Sequence, residues 1–209
     1  MKLVELLTKE FVEKVASEAP APGGGSVSAL AGALAAALCA MVARLTLGKE
    51  KYRDTWQEME HVRDSADALM HRLLDLVDED TAAYNQVLIA FKLPKDTDAQ
   101  RTARLAALQS ATKKATAVPM ETLRSVAAVL SLAEAAVERG NPNCLSDAGV
   151  AAHLIRASAS GAAYNVRINL STLADQDFSA QMQLETAELL SKVMSSVAKL
   201  QEALNKRLR

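Results

Sequence analysis

The stretch Leu76-Val77-Asp78-Glu79-Asp80-Thr81-Ala82-Ala83-Tyr84 places three acids inside a segment that otherwise reads as helix. Aspartate is a poor residue for a helix interior, because its short side chain competes for nearby backbone groups. Asp80 lies four residues after Leu76 and four before Tyr84, so the three share one partly apolar face. A carboxyl group on such a face has a raised pKa and can act as a general acid or base. The other reading is a solvated acidic patch. The residues alone leave Asp80 open between the two. For Asp78 and Glu79 the solvated patch is the preferred reading.

A second feature is Ala21-Pro22-Gly23-Gly24-Gly25-Ser26-Val27-Ser28, which opens the most helix-like stretch of the chain. Three glycines let the backbone turn sharply and bring its N–H groups close to a ligand. The helix that follows points its positive end and unpaired N–H groups into the same space. That combination suits an anion or a flat polar ligand; a tight turn with no ligand is the competing reading. No Gly-Lys-Ser/Thr follows the glycines and no strand precedes them, which removes the two common nucleotide-binding loops.

Gly140 to Val150 also leads into a helix rich in small residues. Asn141 and Asn143 could present amides to a ligand, while Ser146 and Asp147 suit helix caps. Lys49, Lys51 and Arg53 follow the apolar helix and could hold carboxylates, or simply be solvated. Glu58 and His61 have the Glu-x-x-His spacing of helical di-iron sites, which need a second copy. Neither His71 nor His153 has a Glu three residues earlier, so no metal is expected.

These residues must be positioned by helices. The chain has 209 residues, half of them hydrophobic and only 3% aromatic. The apolar content is mostly Ala, Leu and Val, which fits closely packed helices in a single domain spanning 1–209. Six helical regions and no strand are expected: 3–17, 26–47, 53–91, 96–139 with a break or kink at Pro119, 146–169 and 175–208. Small residues recur at three- and four-residue spacing from Ala29 to Ala40, letting helix backbones approach closely. Ser26 to Ala43 is uncharged and reaches the length of a membrane span, but it is mainly Ala and poor in the residues that drive insertion. A helix with no polar face must be covered on every side, so a bundle that is at least dimeric follows.

The formal net charge of −1 gives no basic field for nucleic acid. Two cysteines, Cys39 and Cys144, are too few for a disulfide framework and suit a reducing cytoplasm. No positively charged segment precedes an early apolar run, so no signal peptide is expected.

Taken together, the chain resembles the cyclodeaminase/cyclohydrolase family of folate enzymes. The matching stretches are Pro22 to Ser26, Thr46 to Tyr52, Asp80 to Tyr84, Leu93-Pro94-Lys95, Val118-Pro119, Gly140-Asn141 with Ser146-Asp147, and Tyr164-Asn165-Val166 with Ile168-Asn169. Each is short, but they occur in family order over nearly the whole chain. The resemblance implies an all-helical, dimer-forming fold with a folate site at the subunit interface. It implies that Asp80 is the catalytic aspartate. It also implies that the glycine loop and the Asn141 to Asp147 loop line the site. The expected reaction is cyclodeamination of 5-formiminotetrahydrofolate, releasing ammonia, with hydrolysis of 5,10-methenyltetrahydrofolate as the alternative. Neither requires a metal or redox cofactor. The alternative from another class is a helical scaffold without enzymatic activity, whose glycines only turn the chain.

Overall fold

A computed structural model describes residues 2–208. It contains a short helix α1 (Thr8–Val15) and five long ones: α2 (Gly24–Thr46), α3 (Trp56–Phe91), α4 (Asp98–Arg139), α5 (Leu145–Leu170) and α6 (Gln176–Arg207). Single 3₁₀ segments lie at Leu3–Glu5, Glu50–Thr55 and Pro142–Cys144. Among the described residues there is no strand. The six helical regions expected from the sequence are present, and the fold is an all-α bundle.

The alanine-rich α2 lies at the centre, packed by α3, α5 and α4. Its small residues are what allow this. A side chain at Gly32 would press into Val126 of α4, and one at Gly161 of α5 would overlap the Ser28 hydroxyl of α2. Ser158 of α5 donates to the backbone carbonyl of Ser28 at 2.6 Å, fixing the α2–α5 crossing. On α3, Met59, Val62, Ala66, Leu73, Leu76 and Val77 are fully buried at helical spacing. On α6, Met182, Thr186, Val193, Val197, Leu200 and Leu204 form the stripe that closes the bundle. Short links make neighbours antiparallel, so the start of α2 lies beside the end of α3 and of α5.

Ends follow local chemistry. Gly48, at φ +75°, takes the left-handed conformation that stops α2. Thr97 and Gln100 form a reciprocal capping box at the start of α4. Asp175 caps α6 by accepting from the N–H of Phe178 at 3.0 Å.

Three local expectations are corrected. The N-terminal region is not one helix over 3–17. It divides before Thr8, because the N–H of Leu3 donates to Asp78 and Leu6 is extended. Of the break or kink expected at Pro119, the break is absent, because α4 runs through that residue. Neither Ser146 nor Asp147 caps α5. The helix follows directly from the 3₁₀ turn that Asn141 caps, and Asp147 sits in its first turn.

Candidate active site

The glycine run performs a different task from the one its composition suggests. Gly23 is extended, and Gly24 and Gly25 are already the first residues of α2; none of the three has positive φ. The run therefore supplies room rather than a left-handed turn. A Cβ at Gly25 would overlap the Asp80 carboxylate, whereas one at Gly24 would meet only the side-chain nitrogen of Asn165, at an ordinary 3.5 Å. Gly25 lets the Asp80 carboxyl of α3 lie against the first turn of α2.

Asp80 has Leu76 fully buried one turn before it and Tyr84 at the surface one turn after. The three share one face, running from core to cavity. Burial pushes the Asp80 carboxyl above its ordinary pKa, and the hydroxyl and backbone N–H of Ser26 only partly offset this. The hydroxyl of Ser26 lies 2.9 Å from Oδ2 of Asp80, 3.0 Å from the Val77 carbonyl and 3.2 Å from the Thr81 hydroxyl. One proton cannot serve both acceptors. Ser26 donates to Asp80 when that group is ionised. When Asp80 is protonated it can donate to Ser26, which then donates to Val77. The hydroxyl can thus follow the proton with no movement of heavy atoms.

Asp80 opens onto a cavity of about 360 Å³. Its walls are Pro20, Ala21 and Gly23 to Gly25 on one side, Tyr84 and Val87 on another, and Thr112, Ala115, Asn165, Ile168, Asn169 and Thr172 beyond. Ser26 is fully buried behind Asp80 and is not part of the wall. Asn165 and Asn169 belong to the stretches that carry the family resemblance, but the sequence assigns them no chemical role. The available signal was their i, i+4 spacing on one helix face, which only the packing of α5 turns toward the cavity.

The remaining candidate residues lie elsewhere. Lys49, Lys51, Asn141, Asn143, Ser146 and Asp147 gather at the opposite end of α2, whose 23 residues span about 33 Å. There Asn141 is buried and fully engaged. Its N–H donates to Thr46, its side-chain amide donates to the Leu45 carbonyl, and its side-chain oxygen accepts from the Tyr52 hydroxyl and the N–H of Asn143. Lys49, Lys51, Asn143 and Ser146 are exposed around it.

Asp78 is not a solvated acid. Its Oδ1 accepts the Leu3 N–H at 2.6 Å and its Oδ2 is buried without a partner, so it fastens the N-terminal segment to α3. Glu79 is half-exposed but paired in a two-pronged contact with Arg72. Glu58 pairs with Arg139, and His61 is exposed beside Ser65.

A half-buried carboxyl with a raised pKa, at the mouth of a small cavity in an all-helical bundle, has the chemistry for proton transfer to or from a small molecule. Residues 7–188 match the formiminotransferase-cyclodeaminase family, and the chain belongs to that family. It is 40% identical over 181 residues to the methenyltetrahydrofolate cyclohydrolase of Methylorubrum extorquens, covering 87% of each chain. It is 34% identical over 196 residues to the formimidoyltransferase-cyclodeaminase of Rattus norvegicus, covering 94% of this chain but 36% of that longer protein. In structure it matches the formiminotetrahydrofolate cyclodeaminase of Thermotoga maritima over the full length of both, with a TM-score of 0.90 at 32% identity. These relatives bear enzyme names, and the chain is an enzyme of this folate one-carbon family; the scaffold alternative falls away.

Proposed function

We propose that the protein hydrolyses 5,10-methenyltetrahydrofolate to 10-formyltetrahydrofolate. The observation that carries this is the Asp80 carboxyl, poised above its ordinary pKa at the cavity mouth where Gly25 lets it lie. Water attacks the methenyl carbon, giving a tetrahedral centre bonded to N5, N10 and oxygen. Asp80 takes a proton from that water and delivers it to N5 as the C–N5 bond breaks. The second water proton leaves as the formyl C=O forms. One carboxyl that both accepts and returns a proton serves the whole sequence. No step in it calls for a metal or redox cofactor.

This reverses the order of the two activities expected from the sequence. The 40% identical relative of matching coverage is named for the hydrolytic reaction. The second reading, cyclodeamination, is favoured by the full-length likeness to the Thermotoga maritima protein. There N10 attacks the formimino carbon, and Asp80 passes the N10 proton to the departing ammonia.

The site reads best as one shared between two copies. α2 leaves a bare apolar stripe, with Val27, Leu34 and Leu45 exposed, and α5 leaves Val150, Tyr164 and Ile168 beside it. A two-fold axis near the middle of α2 would cover this face. It would also bring Lys49, Lys51, Asn143, Ser146 and Asp147 of one copy toward Gly23, Gly24 and Asp80 of the other. The partner's lysines would then meet the carboxylates of the folate tail. Two buried, unpaired cysteines fit a cytoplasmic enzyme.

The test is one spectrum on the purified chain. The methenyl absorption decays faster with protein than without, with chelator present. Its growth from 5-formiminotetrahydrofolate instead selects the second reading, and no effect on either substrate defeats both. Restoration by added metal after chelation would defeat the metal-free mechanism. Sedimentation at micromolar concentration gives a dimer or larger; a 22.3 kDa species defeats the shared site.

A further inference from the structure

Pro119 lies in the middle of α4 and is buried in the bundle. A proline has no N–H, so the carbonyl four residues earlier loses its helical donor. That carbonyl belongs to Ala115, which lines the cavity. It does not stay unpaired. The side-chain amide of Asn169, reaching from α5, donates to it at 2.8 Å.

This contact decides which way the Asn169 amide faces. A carbonyl accepts only from the nitrogen, so Nδ2 is committed to Ala115 and Oδ1 is left without a partner among the described residues. Asn169 lines the cavity. Asn165, one turn earlier, repeats the pattern. Its Nδ2 donates to the Gly161 carbonyl at 2.9 Å, and its Oδ1 also lacks a partner among the described residues. Both amides are thus tied at the nitrogen. With Asp80 opposite, the two free amide oxygens give this cavity acceptors for a ligand's N–H groups.

We infer that Asn169 is a substrate-binding residue whose amide oxygen accepts an N–H from the reduced pteridine ring, and that Pro119 is its positioning residue. This rests on the folate reading above. The proline removes a backbone donor so that a side chain must replace it, and the replacement aims an acceptor at the substrate. Asn165 supplies a second acceptor one turn away.

The test uses the full-length protein with Pro119→Ala, Asn169→Ala and the double variant. Pro119→Ala returns a backbone N–H that takes up the Ala115 carbonyl, so Asn169 loses its anchor. Its melting temperature should equal or exceed that of the wild type, because a proline inside a helix is unfavourable. Its KM should nevertheless rise by about tenfold, the scale of one hydrogen bond, with kcat little changed. Asn169→Ala should raise KM similarly while lowering the melting temperature, because the Ala115 carbonyl loses its donor. Adding Pro119→Ala to Asn169→Ala should change KM no further, since both act through one amide. Titration with tetrahydrofolate under reducing conditions reads the same losses as Kd.

A wild-type chain that binds tetrahydrofolate, with KM and Kd unmoved in both single variants, overturns this inference alone. So do KM effects that multiply independently in the double variant, which would mean that Pro119 only shapes the wall. A wild-type chain that neither binds tetrahydrofolate nor turns over either substrate overturns the folate reading and this one with it.

Discussion

The two ends of α2 are built from similar ingredients and spend them differently. Each joins a glycine and asparagine side chains to a helix terminus. At the distal end, Asn141 uses its N–H, its amide nitrogen and its amide oxygen on Thr46, Leu45, Tyr52 and Asn143. At the cavity end, Asn165 and Asn169 each commit only the nitrogen, and Asp80 holds a carboxyl against Ser26 with one side open. The first arrangement is a joint, and the second keeps polar atoms free for a ligand. A polar residue announces chemistry only where the fold leaves it a free valence.

The sharpest way to break this comparison is at Asp80. Asp80→Asn keeps the shape and the contact with Ser26 but cannot shuttle a proton. Turnover should fall by roughly a hundredfold or more. Affinity for tetrahydrofolate, measured by titration, should change far less, because the lost group acts mainly in the transition state. Near-native turnover would remove Asp80 from the mechanism, and Asp147 at the distal end would be the next acid to test.

Gly25 gives the next largest effect. Gly25→Ala puts a methyl group into the carboxylate's space, so either the first turn of α2 or Asp80 must move. A fall in kcat of about tenfold or more is expected, with a loss of about 1–3 kcal/mol in stability from overpacking. Gly24→Ala, facing an ordinary contact, should leave both near wild-type values. Equal effects at the two positions would mean that the glycines matter for backbone freedom and not for room.

Asn141→Ala should show the opposite profile. It leaves the Tyr52 hydroxyl, the Asn143 N–H and the Leu45 carbonyl short of a partner at once. Stability should fall by about 1–3 kcal/mol, the scale for partly buried polar groups left unpaired. Its melting temperature should drop more than that of Asp80→Asn, while kcat per folded molecule falls far less.

The legibility of these features follows from the range of the interactions behind them. α2 could be read directly, because a run of alanines with a single arginine near its end has to be a core helix. Asp80 stood out because it breaks a local rule on a helix face. The stop at Gly48 and the cap at Asp175 are local as well. What stayed hidden depends on distant partners. Asn141 bonds to residues 89 to 96 positions away, and Asp78 bonds to Leu3, 75 positions away. Pro119 read as a break or kink; the helix runs on, and the vacancy in its ladder is filled by Asn169 from another helix. The separation of the candidate residues into two groups could not be seen without knowing that α5 runs antiparallel to α2.

The smallest effect concerns pH, and it separates a buried acid from a solvated one. Burial raises the Asp80 pKa in the native state above its unfolded value. Between those two values the native state binds the extra proton, so stability falls as pH rises through that window. Above the native pKa the full cost of the buried anion is present. Below the unfolded pKa it is absent. Asp80→Asn carries no such term. The melting temperature of the variant relative to the wild type should therefore be highest at neutral and alkaline pH, and should decline as pH is lowered into the ordinary carboxylate range. Subtracting the two curves cancels the other carboxylates, including the Arg-paired Glu185 and the Lys-paired Asp175, whose shifts run the opposite way. A difference that stays flat with pH would mean that water reaches Asp80 freely, and the acid that the proposed mechanism needs would then have an ordinary pKa.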